Sequence, residues 1–192
     1  MPAPARLHFT SAPAAQELIA RDPLALLIGF CLDQQITVQK AFAGPLVLQG
    51  RLGHLDAART AATDPAVLEA VFREKPAIHR FPGAMARRVQ ELCEVIAEEY
   101  DGDAARVWTE ATDARDLQRR LGALPGFGEL KVRTVTAVLA KRLGVRPPGI
   151  DAVLPAHPTL GDVDSDAALE AYQAAKRAKK AAARRATAAG SS

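Results

Sequence analysis

Leu117 to Leu143 read LQRRLGALPGFGELKVRTVTAVLAKRL, which spells a helix, a tight loop and a second helix. Leu117 and Leu121 recur at helical spacing in the first, and Val132, Val135 and Leu139 in the second. Pro125 ends the first helix, while Gly126 and Gly128 permit backbone angles and a close approach that a Cβ would obstruct. Gly144 ends the second, and Pro147 and Pro148 forbid its continuation. The N–H groups of the loop, joined to the positive end of the following helix, form a ready site for one phosphate oxygen. Binding of that kind runs through the backbone and is indifferent to base sequence. A P-G-x-G turn also serves as a plain connection between helices, so its surroundings decide how it is read.

Outward from this segment, helix signals recur back to Asp22. The pairs Asp22-Pro23 and Asp64-Pro65 each supply an N-cap and a preset first helical residue. In LALLIGFCLDQQ, Leu24, Leu27, Ile28, Cys31 and Gln35 share one stripe, and Leu26 and Phe30 make the other face apolar too. That helix is expected to be buried, with its polar end emerging at a surface or cleft. A helix capped at Thr37 is expected to reach only Gly44, because Pro45 would break its ladder. Leu68, Val71 and Phe72 mark a short helix, KPAIHRFPG a loop, and Met85, Val89, Leu92 and Ile96 a longer helix ending near EEYDGD. Another helix begins near Thr112 or Asp113, and an Ala-rich one near Ala167. No strand alternation or internal repeat interrupts this pattern, so about seven short helices are expected.

The chain has 192 residues, 48% of them hydrophobic, 24% charged and 5% aromatic, values of an ordinary globular, helix-favouring domain. No apolar run approaches the roughly 18 residues of a membrane span, and MPAPARLHFTSAPAAQ lacks a basic-then-apolar secretion pattern, so a cytoplasmic protein is expected. Cys31 and Cys93 cannot build a four-thiolate site and are expected to be reduced packing residues. His8, His54, His79 and His157 are scattered, which leaves metal catalysis little support. The net charge of +3 hides an asymmetry. Lys176, Arg177, Lys179, Lys180, Arg184 and Arg185 crowd the last 20 residues without an acid; without those six, 19 basic groups face 22 acids. Attraction to nucleic acid is thus concentrated in the tail, unless the tail only solubilises the chain.

LPGFG resembles the hairpin of helix-hairpin-helix DNA-binding proteins, and residues 20 to 155 resemble the HhH-GPD superfamily of DNA glycosylases. DPLALLIGFCLDQQIT looks like that family's opening helix and following loop, TDPAVLEAVF and the Met85 helix fall where its middle helices lie, and IDAV falls near its catalytic Val/Ile-Asp. The resemblance implies an all-α, two-lobed fold with a DNA-binding cleft. One lobe is expected over 22–143 and the other from the N-terminal segment plus 144–165, with 166–192 a basic helix or tail. It implies a base-excision repair enzyme that hydrolyses the N-glycosidic bond of a damaged or mispaired base in double-stranded DNA. The enzyme is expected to be a short, cluster-free, bacterial-type member without iron-sulfur or other cofactor, acting as a nucleoid-associated monomer.

A base inside the stack is out of reach, so it must be flipped into a pocket, and positive charge then grows on the sugar as the bond breaks. A carboxylate facing that charge stabilises it and activates water. The resemblance implies Asp151 for this role, although Ala152 and Val153 stand where the family has Thr-His; the alternatives are that Asp151 is a solvated loop residue and that Asp33, Asp162, Asp164 or none of them is the carboxylate. Gln35, ahead of Gln34, matches the residue that fills the gap left by the extruded base, while either amide could instead cap a helix. Pro125, Gly126, Phe127, Gly128 and Lys131 belong to the phosphate anchor, with Phe127 expected to pack the loop. Bifunctional relatives carry a Schiff-base Lys two residues after the second hairpin glycine, where this chain has Leu130. Lys131 lies about 100° further round the helix and is expected to face phosphate or solvent, so no lyase activity is expected. The rival readings are a non-catalytic protein that recognises distorted DNA, and a helical protein-interaction module unrelated to DNA.

Overall fold

The computed structural model describes residues 4–189, with side chains through residue 178 and at 181 and 182. Eleven α-helices follow one another: α1 (Pro13–Arg21), α2 (Pro23–Leu32), α3 (Val38–Leu52), α4 (Ala57–Ala61), α5 (Pro65–Arg73), α6 (Pro82–Glu99), α7 (Arg106–Thr109), α8 (Ala114–Ala123), α9 (Glu129–Arg142), α10 (Ile150–Val153) and α11 (Asp166–Ala189). A 3-10 turn, Leu160–Asp162, precedes the last of them. Among the described residues there is no strand, so the all-α expectation holds. The count exceeds seven because α4, α7 and α10 are too short to show a periodic stripe, and α1 lies ahead of the first Asp-Pro signal.

The Asp-Pro pairs act as expected: Asp22 accepts from Leu24 N and Ala25 N, and Asp64 from Ala66 N and Val67 N. Helix α2 is buried on every side, with Leu26, Leu27, Ile28 and Phe30 all at or near zero exposure. Phe42 of α3 sits edge-on between Phe9 and Phe30, with 5.0 Å between ring centroids on each side. One hydrophobic core runs from Leu7 to Leu169 and includes both cysteines, which are free. Burial pushes the Cys31 thiol up to about 11 and Cys93 to about 12, so both stay protonated packing groups.

Helix α3 corrects one expectation. It runs through Pro45 to Leu52 instead of stopping at Gly44. Proline deletes a single ladder bond, and burial of Val38, Ala41, Phe42 and Leu48 on this helix outweighs that loss.

Two contacts tie the ends of the chain to the helical body. His8 Nδ1 and Gln16 Nε2 both meet Asp166 Oδ1 at 2.9 Å, joining the N-terminal segment and α1 to the start of α11. The 3-10 turn lies directly on α9, where a Cβ on Gly161 would come within 2.7 Å of the Ala137 backbone. No helix among the described residues is long and apolar enough to cross a membrane.

Candidate nucleic-acid interface

Leu124 to Phe127 form the hairpin turn between α8 and α9, closed by Phe127 N–H donating to Leu124 O at 3.1 Å. Pro125 occupies the second position, and Gly126, at φ +84°, the third, the arrangement of a type II turn. Gly128 differs. Its φ of −76° suits any residue, and a Cβ there would meet nothing within 4 Å. The first amides of α9 have no intrahelical acceptor, because Val132 N is the first to bond back, to Gly128 O. They belong to an exposed stretch, Gly128 to Leu130, in which Leu130 is 78% exposed. Glu129, the one acid on this turn, is drawn onto Arg133. Phe127 is buried and packs the loop.

The second part of the surface is the loop that leaves α2. Asp33, at φ −72° and ψ 70°, makes an inverse γ-turn in which Gln34 N–H donates to Leu32 O at 2.7 Å. Gln35 then adopts φ 54°, a left-handed conformation that a residue with a Cβ pays about 1–2 kcal/mol to hold. Thr37 resumes regular structure by capping α3 through Lys40 N. The strained residue is held from both sides. His79 Nδ1 accepts from Phe81 N at 3.0 Å, which leaves Nε2–H to donate to Gln34 O at 2.9 Å. His79 is 1% exposed, and burial holds its pKa below the ordinary value, so the imidazole is neutral.

The two glutamines divide the work. Gln34 is committed: its Nε2 donates to Cys31 O at 3.1 Å and its Oε1 accepts from Arg88 Nη1 at 3.2 Å. Gln35 is exposed and its side chain makes no hydrogen bond among the described residues.

Arg88 joins the two parts. Its guanidinium holds Gln34 while its stem lies under the hairpin, so that a Cβ on Gly126 would stand 2.7 Å from Arg88 Cδ. The hairpin and the glutamine loop therefore share one edge of the molecule. Neither Arg88 nor His79 stands out in the sequence. Arg88 is three residues from Met85 and beside Val89, on the border of an apolar stripe, and that border position is the only signal it offers.

Lys131 requires a correction. It points inward, not to phosphate or solvent: its Nζ is buried, lacks a hydrogen-bond partner among the described residues, and lies 5.5 Å from the centre of the Phe127 ring. The reason is its stripe. Position 131 is in line with Val135 and Val138, which are fully buried. Burial depresses the Lys131 pKa, opposed by the carboxylate of Asp33. Asp33 in turn is pushed up by burial and pulled back by Lys176 of α11 and by Lys131.

Asp151 stands elsewhere. On the short α10, its side chain is 79% exposed and is paired with Arg146, and the preceding segment is fastened to α8 through Ala114 N and Pro148 O at 2.9 Å. Asp162 is occupied by Lys141 and by Thr159 N and Oγ1. Of the basic tail, Lys176 lies 5.7 Å from the Tyr172 ring centre and Arg177 is exposed; the side chains of Lys179, Lys180, Arg184 and Arg185 lie outside the described ones. Among the described residues, no three His, Cys, Asp or Glu side chains gather as a metal site would require.

Compared with family models, curated proteins and solved structures, the chain finds no match. What the interface can do follows from its own chemistry. It offers neutral backbone donors at the hairpin, a free amide at Gln35 two residues from a half-buried carboxylate, and basic side chains on α11.

Proposed function

We propose that the protein is a monofunctional DNA glycosylase of the two-lobed helix-hairpin-helix type, which hydrolyses the N-glycosidic bond of a damaged or mispaired base in duplex DNA without a cofactor. The observation that carries this reading is Arg88, whose one side chain spans from Gln34 to the hairpin and so ties the phosphate anchor to the gap-filling loop. A flipped nucleotide needs both at once: a grip on its backbone and a group that replaces it in the stack. The strained, exposed Gln35 supports the second role, because a left-handed non-glycine residue held by its neighbours is a common mark of a working site. Gly128 supports the first. Nothing inside the protein requires a glycine there, whereas a strand pressed against the α9 amides would.

The test is incubation with duplexes carrying uracil, alkylated and oxidised bases, followed by alkali. Abasic sites on at least one duplex are the expected result. A second reading, a binding protein that recognises distorted DNA without cutting, has the exposure of Asp151 and its pairing with Arg146 in its favour. Binding to the same duplexes with no abasic site on any of them would establish it.

The inward Lys131 bears on lyase activity. Its amine is enclosed by Phe127 and shares charge with Asp33, so borohydride is expected to trap no covalent adduct on damaged DNA. An adduct that disappears in Lys131→Ala would make the enzyme bifunctional.

A further inference from the structure

We propose that Asp33, and not Asp151, is the carboxylate that faces the sugar when the base departs. This rests on the glycosylase reading above. Four acids were open to the role, and three are otherwise engaged or out in water. Asp151 is exposed on Arg146, Asp162 caps the 3-10 turn and holds Lys141, and Asp164 is exposed beside Ser165. The Asp33 carboxylate accepts no hydrogen bond among the described residues, so its lone pairs are unspent. It sits where α2 ends, two residues before the exposed Gln35 and close enough to Lys131, three residues past Gly128, for each charge to act on the other. The gap filler thus lies two residues from it, and charges from the start of α9 and from Lys176 on α11 act on it.

The chemistry suits that setting. As the bond between C1′ and the base nitrogen breaks, its electron pair leaves with the base, which takes a proton from solvent. Water adds to C1′ and releases a proton to the Asp33 carboxylate, which later returns it to solvent. Asp33 is half-buried, and a carboxylate partly withdrawn from water stabilises the growing positive charge more strongly than a fully solvated one. Burial raises its pKa, and the charges of Lys176 and Lys131 oppose that rise and so favour the ionised form the step needs.

The test compares single-turnover excision, at saturating enzyme, by wild type, Asp33→Asn and Asp151→Asn on the substrate that the lesion panel identifies. Asp33→Asn is expected to lose on the order of a hundredfold or more while keeping its thermal midpoint and duplex affinity, and Asp151→Asn to stay near wild type. Wild-type turnover by Asp33→Asn, or a collapse confined to Asp151→Asn, overturns the assignment and leaves the glycosylase reading standing. A wild type that excises nothing overturns that reading instead. Should Asp33→Asn fail to fold, the pH profile decides. Lys176→Met, a change on the exposed face of α11, removes the largest charge that lowers the Asp33 pKa, so the acid limb of the rate is expected to move to higher pH. An unmoved limb overturns the proposal.

Discussion

At the scale of single residues, the two hairpin glycines answer to different demands. Gly126 is needed by the backbone itself. An alanine there would hold a left-handed conformation and drive its Cβ into the Arg88 stem, so Gly126→Ala is expected to cost about 1–2 kcal/mol in a urea melt. Gly128→Ala is expected to leave the urea melt unchanged or raise stability by up to about 1 kcal/mol. Its duplex affinity is expected to fall about tenfold, the worth of one lost hydrogen bond to a charged oxygen. Loss of stability without loss of affinity would contradict the division. His79 carries a pH signature. Its folded pKa is depressed, so its contribution is whole above the ordinary value of 6.5 and is lost as pH falls through the folded one. The thermal midpoint of wild type is therefore expected to drop more steeply between pH 7 and 5 than that of His79→Gln.

At the scale of elements, the surface depends on where α9 is held. The 3-10 turn presses on its middle through Gly161, and α6 reaches the hairpin at its start through Arg88. A methyl group on Gly161 would meet the backbone of Ala137 and Val138, which cannot swing aside, so Gly161→Ala is expected to destabilise by about 1–3 kcal/mol, measured by denaturant titration. The Asp-Pro starts and the ends of α8 and α9 were legible because capping and turn chemistry are local. The course of α3 was not: a proline's missing bond is visible in sequence, but the burial that offsets it is a property of neighbours far along the chain. Lys131 follows the same logic. A rotation of 100° about a helix says that Leu130 and Lys131 face differently, but not which of the two meets the core.

At the scale of the whole molecule, charge and geometry divide the contacts with DNA. The hairpin amides are neutral and release no counterions, whereas each tail cation that meets a phosphate adds about 0.9 to the slope of log affinity against log salt. Replacing Lys176, Arg177, Lys179, Lys180, Arg184 and Arg185 by glutamine is expected to flatten that slope, measured by titrating duplex at several salt concentrations, while Gly128→Ala lowers affinity at every salt with the slope unchanged. A slope indifferent to the tail would assign it to solubility.

Sequence alone determined the helical class, the Asp-Pro starts, the hairpin and its glycines, the buried cysteines and the basic end, because each of these depends on a residue and its near neighbours. Only the tertiary structure decided that Arg88 ties the hairpin to the glutamine loop, that His79 pins Gln34, that Lys131 turns inward, and that Asp33 is half-buried while Asp151 is exposed. Burial and charge pairing are set by residues from distant helices, and no local pattern announces which helices those are.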